Sequence, residues 1–280
     1  MMRGMFAAIS GLKQHQTMLD VTANDIANVN TIGYKSARVT FADSLNQLQR
    51  GAAGPSGQTG GSNAAQVGLG VGLGSIDNLM TGGATQPTGN PLDVAIQGTG
   101  FFQIGVGAPT TGAPQLTPTM YTRAGNFTIN SEGFLTTQTG EYVLGWAMPA
   151  TAGPEIAIQI PDGATNIAID QSGGVSYVDK TTGLRTTAGR LALATFANPA
   201  GLERQGGNMW VPSSNSGTKS QNTPGLDGLG YTQAGAIEMS NVDLSTTFTN
   251  MITAQRGFQA NSRVISTSDE MLQDLVNMKR

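Results

Sequence analysis

Apolar residues at both ends of the chain recur in alternating steps of four and three, whereas those in the middle alternate with polar ones. At the C-terminal end Leu244, Phe248, Met251, Gln255, Phe258, Ser262, Ile265, Asp269, Leu272 and Val276 keep the seam spacing of a coiled coil. One long helix over Ser240 to Arg280 is predicted, more than about 50 Å in length at ~1.5 Å per residue. Ser240 or Asn241 is placed to cap it, Asp243 falls in the first turn where a negative charge meets the helix dipole, and Lys279 and Arg280 sit at the opposite pole. At the N-terminal end Met5, Ile9, Leu12, Gln16, Leu19, Ala23 and Ile26 follow the same rhythm and predict a second helix over Met5 to Ala27. Gln255, Ser262 and Asp269 in one seam and Gln16 in the other would lack partners in an isolated two-helix zipper. The spacing alone suits a two-helix layer over a monomer's core as well as helices that order beside copies of themselves.

Between the helices the period changes to two. Leu92, Val94 and Ile96 alternate with polar or small residues and lead into Phe101, Phe102 and Ile104; Phe127 and Ile129 face Phe134 to Thr136 across Asn130-Ser131-Glu132-Gly133. Tyr142 to Trp146, Ile156 to Ile160, Ile167 to Asp170 against Val175 to Val178, and Leu191 to Phe196 continue a small all-β domain. Residues Val39 to Leu48 fit a strand or a helix. Gly51 to Gly74 is glycine-rich and nearly uncharged, which suits a flexible linker or an ordered extended arm. Val211 to Gly230, polar and rich in Gly and Ser, is expected as the return path to the C-terminal helix.

Composition narrows the chemistry. Charged residues make up 12% of the chain and the formal net charge is -3, without the clustered Lys and Arg that phosphate backbones demand, so nucleic acid is not expected as a partner. The absence of cysteine removes disulfides, thiolate zinc sites and thiol catalysis. The single histidine, His15, lies off the apolar seam and is expected as a surface polar group rather than a catalytic base. Gly68, Gly70, Gly72 and Gly74 alternate with single residues, unlike phosphate-binding loops, and no helix pattern follows them. Neither a signal-peptide core nor an apolar run of ~18 to 20 residues is present, so a membrane span is not expected and export would use a route without a cleaved signal. No catalytic, cofactor or metal residue is expected, and the chain is not expected to be an enzyme.

Five blocks carry a family resemblance. Ala23-Asn24-Asp25-Ile26-Ala27-Asn28-Val29-Asn30-Thr31-Ile32-Gly33-Tyr34-Lys35 resembles the N-terminal signature of the bacterial flagellar rod and hook axial proteins. Gly89 to Phe102, Tyr121 to Phe127 and Phe196 to Leu202 resemble blocks of their β domain, and Ser240 to Asn261 their C-terminal helix signature. Arg38 to Asp43, Gln66 to Gly70 and Val143 to Trp146 are similar to the hook pattern, with the distal rod protein as the alternative. The chain has no room for the large outer β domain of many hook proteins.

The resemblance implies an α+β fold in which long terminal helices form a coiled-coil-like α domain and the centre is all-β. Residues 1–30 would be the N-terminal helix of an inner α domain, 31–75 a Gly-rich extended linker or arm, 76–230 the β domain and 231–280 the C-terminal helix. It also implies a structural subunit of the flagellar hook, a flexible curved tube that passes torque from rod to filament and encloses an export channel. The implied setting is extracellular, in the hook or basal body. Implied partners are copies of itself in a helical homopolymer, the distal rod protein, the hook-filament junction protein, the hook cap and the flagellar export apparatus, with no cofactor. The residues expected to hold the tube are Met5, Ile9, Leu12, Leu19, Ile26, Leu244, Phe248, Met251, Phe258, Ile265, Leu272 and Val276. A non-motile secreted tube or an adhesin-like filament would use the same blocks.

Overall fold

The computed structural model describes residues 2–55, 60–107, 119–147, 155–180 and 182–278. Lys279 and Arg280, expected at the helix pole, lie outside them. The fold class is α+β, as expected. The chain divides into two compact units: Met1–Ala27, Ala37–Asn78 and Asp243–Arg280 form one, and Asn28–Ser36 with Leu79–Val242 form the other.

The first unit holds two helices, α1 (Met2–Ala27) and α2 (Leu244–Met278), and four strands, β1 (Ala37–Asp43), β2 (Asn46–Arg50), β3 (Ala65–Gly68) and β4 (Val71–Asn78). β1 pairs antiparallel with β4 and β2 with β3, and a bridge between Ala53 and Ser62 carries the pairing further out. Two expectations change here. The segment left open between strand and helix is mostly strand, and much of the glycine-rich stretch, expected first as a linker, is one side of a ribbon. Its glycines occupy alternate positions, so Val67, Leu69, Val71 and Leu73 keep the strand period while the ladder uses backbone groups alone. The ribbon is anchored at its root, where Val71 N donates to Ser10 Oγ at 3.2 Å.

α2 begins later than Ser240, and its cap is Asp243. Ser245 N donates to Asp243 Oδ1 at 3.0 Å and Thr246 Oγ1 to Oδ2 at 2.6 Å. The Thr246 hydroxyl first and the Ser245 amide second hold the Asp243 carboxyl below its usual value. This support is present above the ordinary carboxylate pKa and is lost as pH falls through the lowered one. In Asp243→Ala the amides of residues 245 to 247 should exchange with solvent severalfold faster, read by hydrogen exchange, with the β unit unchanged.

The second unit is built on a thirteen-stranded antiparallel sheet whose main path runs through Thr165–Ile169, Gly174–Val178, Arg185–Leu191, Tyr142–Trp146, Phe101–Gly105, Thr119–Thr122, Met209–Val211 and Glu203–Gly206. The return path expected over Val211 to Gly230 contains a strand, Lys219–Asn222, paired with Leu193–Phe196. One apolar core gathers Val94, Phe102, Phe127, Leu135, Val143 and Leu191; another joins Phe101, Tyr121, Phe196 and Trp210. Burial first and the Glu155 carboxylate second push the Tyr121 phenol up from 10.0 to about 12. Because the folded value is the higher one, the neutral phenol's contribution is complete below the unfolded pKa and is lost as pH rises through the folded one. Between pH 10.0 and about 12 wild type should therefore lose roughly 3 kcal/mol that Tyr121→Phe does not, measured as the difference between their urea midpoints.

Candidate assembly surface

α1 and α2 run antiparallel and meet through small residues. A Cβ added at Gly11 would lie 2.8 Å from Asn261 Nδ2, and one added at Gly257 would lie 2.5 Å from the His15 ring. Each glycine is thus the socket for a side chain of the opposite helix. Buried positions on α1 are Ala8, Gly11, Thr22 and Asp25, and on α2 Thr247, Ala254 and Ser268. With the half-buried Met251, Phe258, Asn261, Ile265 and Leu272, the α2 seam steps through 247, 251, 254, 258, 261, 265, 268 and 272. His15, expected on the surface, is half-buried, stands edge-on to Phe41 at 5.7 Å, and has its Nδ1 enclosed without a hydrogen-bond partner among the described residues.

The residues expected to form the assembly seam therefore fall into two sets. Met251, Phe258, Ile265 and Leu272 lie in the seam of their own helix pair, and Met5, Leu12, Leu19 and Ile26 are half-buried. Ile9, Leu244, Phe248 and Val276 are exposed. Gln255, Ser262 and Asp269 face solvent, so they leave no polar atom stranded inside the pair. Among the described residues, eighteen of the twenty-three exposed large apolar side chains belong to this unit, while its buried apolar residues are Ala8 and Ala254. A unit that buries alanines and shows Phe6, Leu45, Phe248 and Ile252 to water is incomplete by itself.

In the second unit the places where the chain leaves it are bound together. Glu238 accepts from Lys35 Nζ at 2.6 Å, from Arg123 Nη1 at 3.2 Å and from Gly83 N at 2.9 Å, and its side chain is 1% exposed. Lys35 Nζ also donates to Thr81 O at 2.8 Å, and Gly33 N to Glu238 O at 2.8 Å. Gly33 has φ of +68°, and a Cβ there would lie 2.6 Å from Ala124 N, so this turn needs glycine. Asn241 Oδ1 accepts from Ser36 N at 2.7 Å, Asn241 Nδ2 donates to Leu79 O at 2.8 Å, and Leu79 N donates to Ser36 O at 2.8 Å, closing a ring. Arg204 lies over the Tyr34 ring at 4.9 Å and the Trp210 ring at 5.1 Å, and donates to Lys35 O. Burial, the largest influence, lowers the Lys35 pKa below its ordinary value; Glu238 opposes this and Arg123 adds to it. Sequence reading missed the cluster of Lys35, Arg123, Arg204, Glu238 and Asn241, although all five stand inside or within two residues of the signature blocks.

A β unit with two apolar cores and a helical unit that leaves most of its large apolar residues outside fit a structural subunit that assembles with others. Three family descriptions match: "Flagella basal body rod protein" over residues 5–35, "Flagellar hook protein FlgE/F/G D1 domain" over 95–177, and "Flagellar basal body rod FlgEFG protein C-terminal" over 233–278. The chain is 46% identical over 281 residues to the flagellar basal-body rod protein FlgG of Bacillus subtilis (strain 168), covering 100% of both chains. From Borreliella burgdorferi, FlgG is 35% identical over 281 residues and the flagellar hook protein FlgE 27% over 450, each with 100% of both chains covered. The chain belongs to the flagellar rod and hook axial protein family. This family is structural rather than enzymatic and is part of the flagellar basal body and hook. The preference for hook drawn from the residue blocks is corrected. The rod relatives align without added length, whereas the hook alignments extend far past this chain's 280 residues. Among the described residues no helix is long and apolar enough to cross a membrane.

Proposed function

We propose that the chain is a distal rod subunit, polymerising into a stiff helical tube that carries torque between the motor and the hook. The observation that carries this reading is the full-length 46% identity to a basal-body rod protein, with no residues left over on either side. In this reading α1 (Met2–Ala27) and α2 (Leu244–Met278) form the inner wall around an export channel, while residues 28–30 and 231–242 belong to the β unit. Copies of the chain meet through Ile9, Leu244, Phe248 and Val276, each contributing ~1.5 to 3 kcal/mol when fully buried. Met251, Phe258, Ile265 and Leu272 hold the helix pair within each copy. The ribbon of residues 37–78 suits a brace against a neighbour, because an isolated two-stranded hairpin is marginal in water and β2 is exposed along its whole length. The subunit would leave the cell through the flagellar export apparatus and would meet neighbouring rod subunits and the hook. The hook cap and hook-filament junction protein belong to the hook reading.

Gold-labelled antibody against the chain, applied to isolated hook-basal bodies, tests this. Label on the straight segment below the hook is expected. Label along the curved hook would return the chain to the hook reading, and label on neither would favour a separate secreted tube.

A further inference from the structure

We propose that Lys35, Arg123, Glu238 and Asn241 form a staple that holds three of the segments leading out of the β unit as one block, before the subunit meets any neighbour. The chain passes between its two units after Ala27, after Ser36, after Asn78 and after Val242, and hydrogen bonds join the neighbourhoods of the last three of these points. Next to these points stand Ser36, Leu79 and Asn241, the three residues joined in the hydrogen-bonded ring. One layer deeper, Glu238 ties Lys35, Arg123 and Gly83, and Lys35 reaches across to Thr81 O.

The chemistry suits a staple better than filler. The segments 33–36 and 79–83 run outside the named strands, so their backbone groups need partners that a ladder does not provide. An apolar plug would fill the same volume and leave Gly83 N and Thr81 O without these bonds. A buried carboxylate between two cations also admits one arrangement of its partners, which makes it a registering device at some expense in desolvation. Lys35, with its side chain 0% exposed, and Glu238 are 203 positions apart in sequence, so the contact exists only when both ends of the β unit have come together.

The purpose of the staple rests on the proposed rod function: a load arriving on one segment is shared by all three rather than peeling a single peptide from the sheet. Its existence does not depend on that function, because the geometry is complete within one chain. The test therefore uses the full-length unassembled subunit and leaves the rod or hook assignment to the labelling experiment.

Hydrogen exchange is measured amide by amide in wild type, Asn241→Ala and Glu238→Gln. In wild type Gly33, Ser36, Leu79 and Gly83 should exchange as slowly as the strand Phe101–Gly105. In Asn241→Ala all four should exchange about tenfold faster or more, as one group, while Tyr142–Trp146 keeps its protection. Gly33 and Gly83 are the deciding positions, since Asn241 bonds neither. Acceleration confined to Ser36, which Asn241 holds directly, would show a set of independent bonds and overturn the staple. Equal acceleration through Tyr142–Trp146 would overturn it too, by making the cluster an ordinary part of the sheet's core. Glu238→Gln should accelerate the same four amides; if that variant does not fold, Asn241→Ala, which removes no charge, decides alone.

Discussion

Phe248→Asp is expected to leave the melting transition of the isolated subunit unchanged and to raise the concentration required for polymerisation about a hundredfold or more. Phe248 is 49% exposed and lies outside the α2 seam, so its own chain gains little from it. At an interface the ring would contribute a few kcal/mol, and a carboxylate in its place would add the penalty of an unpaired charge. Sedimentation across a concentration series reads the effect. Phe258→Asp makes the contrast. Phe258 sits half-buried in the seam against α1, and its replacement should loosen the helix pair as well, lowering helical ellipticity of the isolated subunit before any assembly. Polymerisation of Phe248→Asp at wild-type concentrations would remove that face of α2 from the interface.

Glu238→Leu is expected to destabilise the β unit by about 3 to 5 kcal/mol. Leucine fills the space but leaves Lys35 and Arg123, whose side chains are 0% and 4% exposed, as buried cations without a counter-charge. Trp146 and Trp210 are both buried in this unit, so their fluorescence during urea unfolding reports it without interference from the helices. Lys35→Met should cost less, because Glu238 keeps Arg123 at 3.2 Å. A Glu238→Leu midpoint equal to wild type would mean that the charges contribute nothing to holding these segments.

The helices were legible because their period survives folding, but the face was misread in part. On α1 the buried positions 8, 11, 22 and 25 are each one residue from the expected column, and on α2 the positions 251, 258, 265 and 272 are half-buried together with a second column at 247, 254, 261 and 268. The cause is physical: Gly11, Ala8, Ala254 and Ser268 let the backbones approach, and the large side chains that dominate a periodicity count are left outside. Tyr142–Trp146 was bounded correctly, and Val175 does pair with Ile169 as the alternation suggested. The glycine ribbon was ambiguous because a strand whose alternate residues lack side chains carries half the usual signal. Nothing in local pattern could join Lys35 to Glu238. Their contact depends on two distant segments meeting, and the signature blocks marked both regions without saying what bound them.

The ring at Ser36, Leu79 and Asn241 also bears on the order in which the molecule forms. Gly11 and Asn261 lie against one another across about 250 residues of chain, a closure that few sequences could make early. Once Gly33 and Asn241 are fixed in the β unit, only about 40 residues separate the same two positions along the shortened path. By logarithmic scaling that lowers the entropic barrier by roughly 1.6 kcal/mol. That difference favours an order in which the sheet closes first and the helices zip afterwards along a loop already drawn tight. In that order the exposed apolar face of the helices would form only once the rest of the chain is in place.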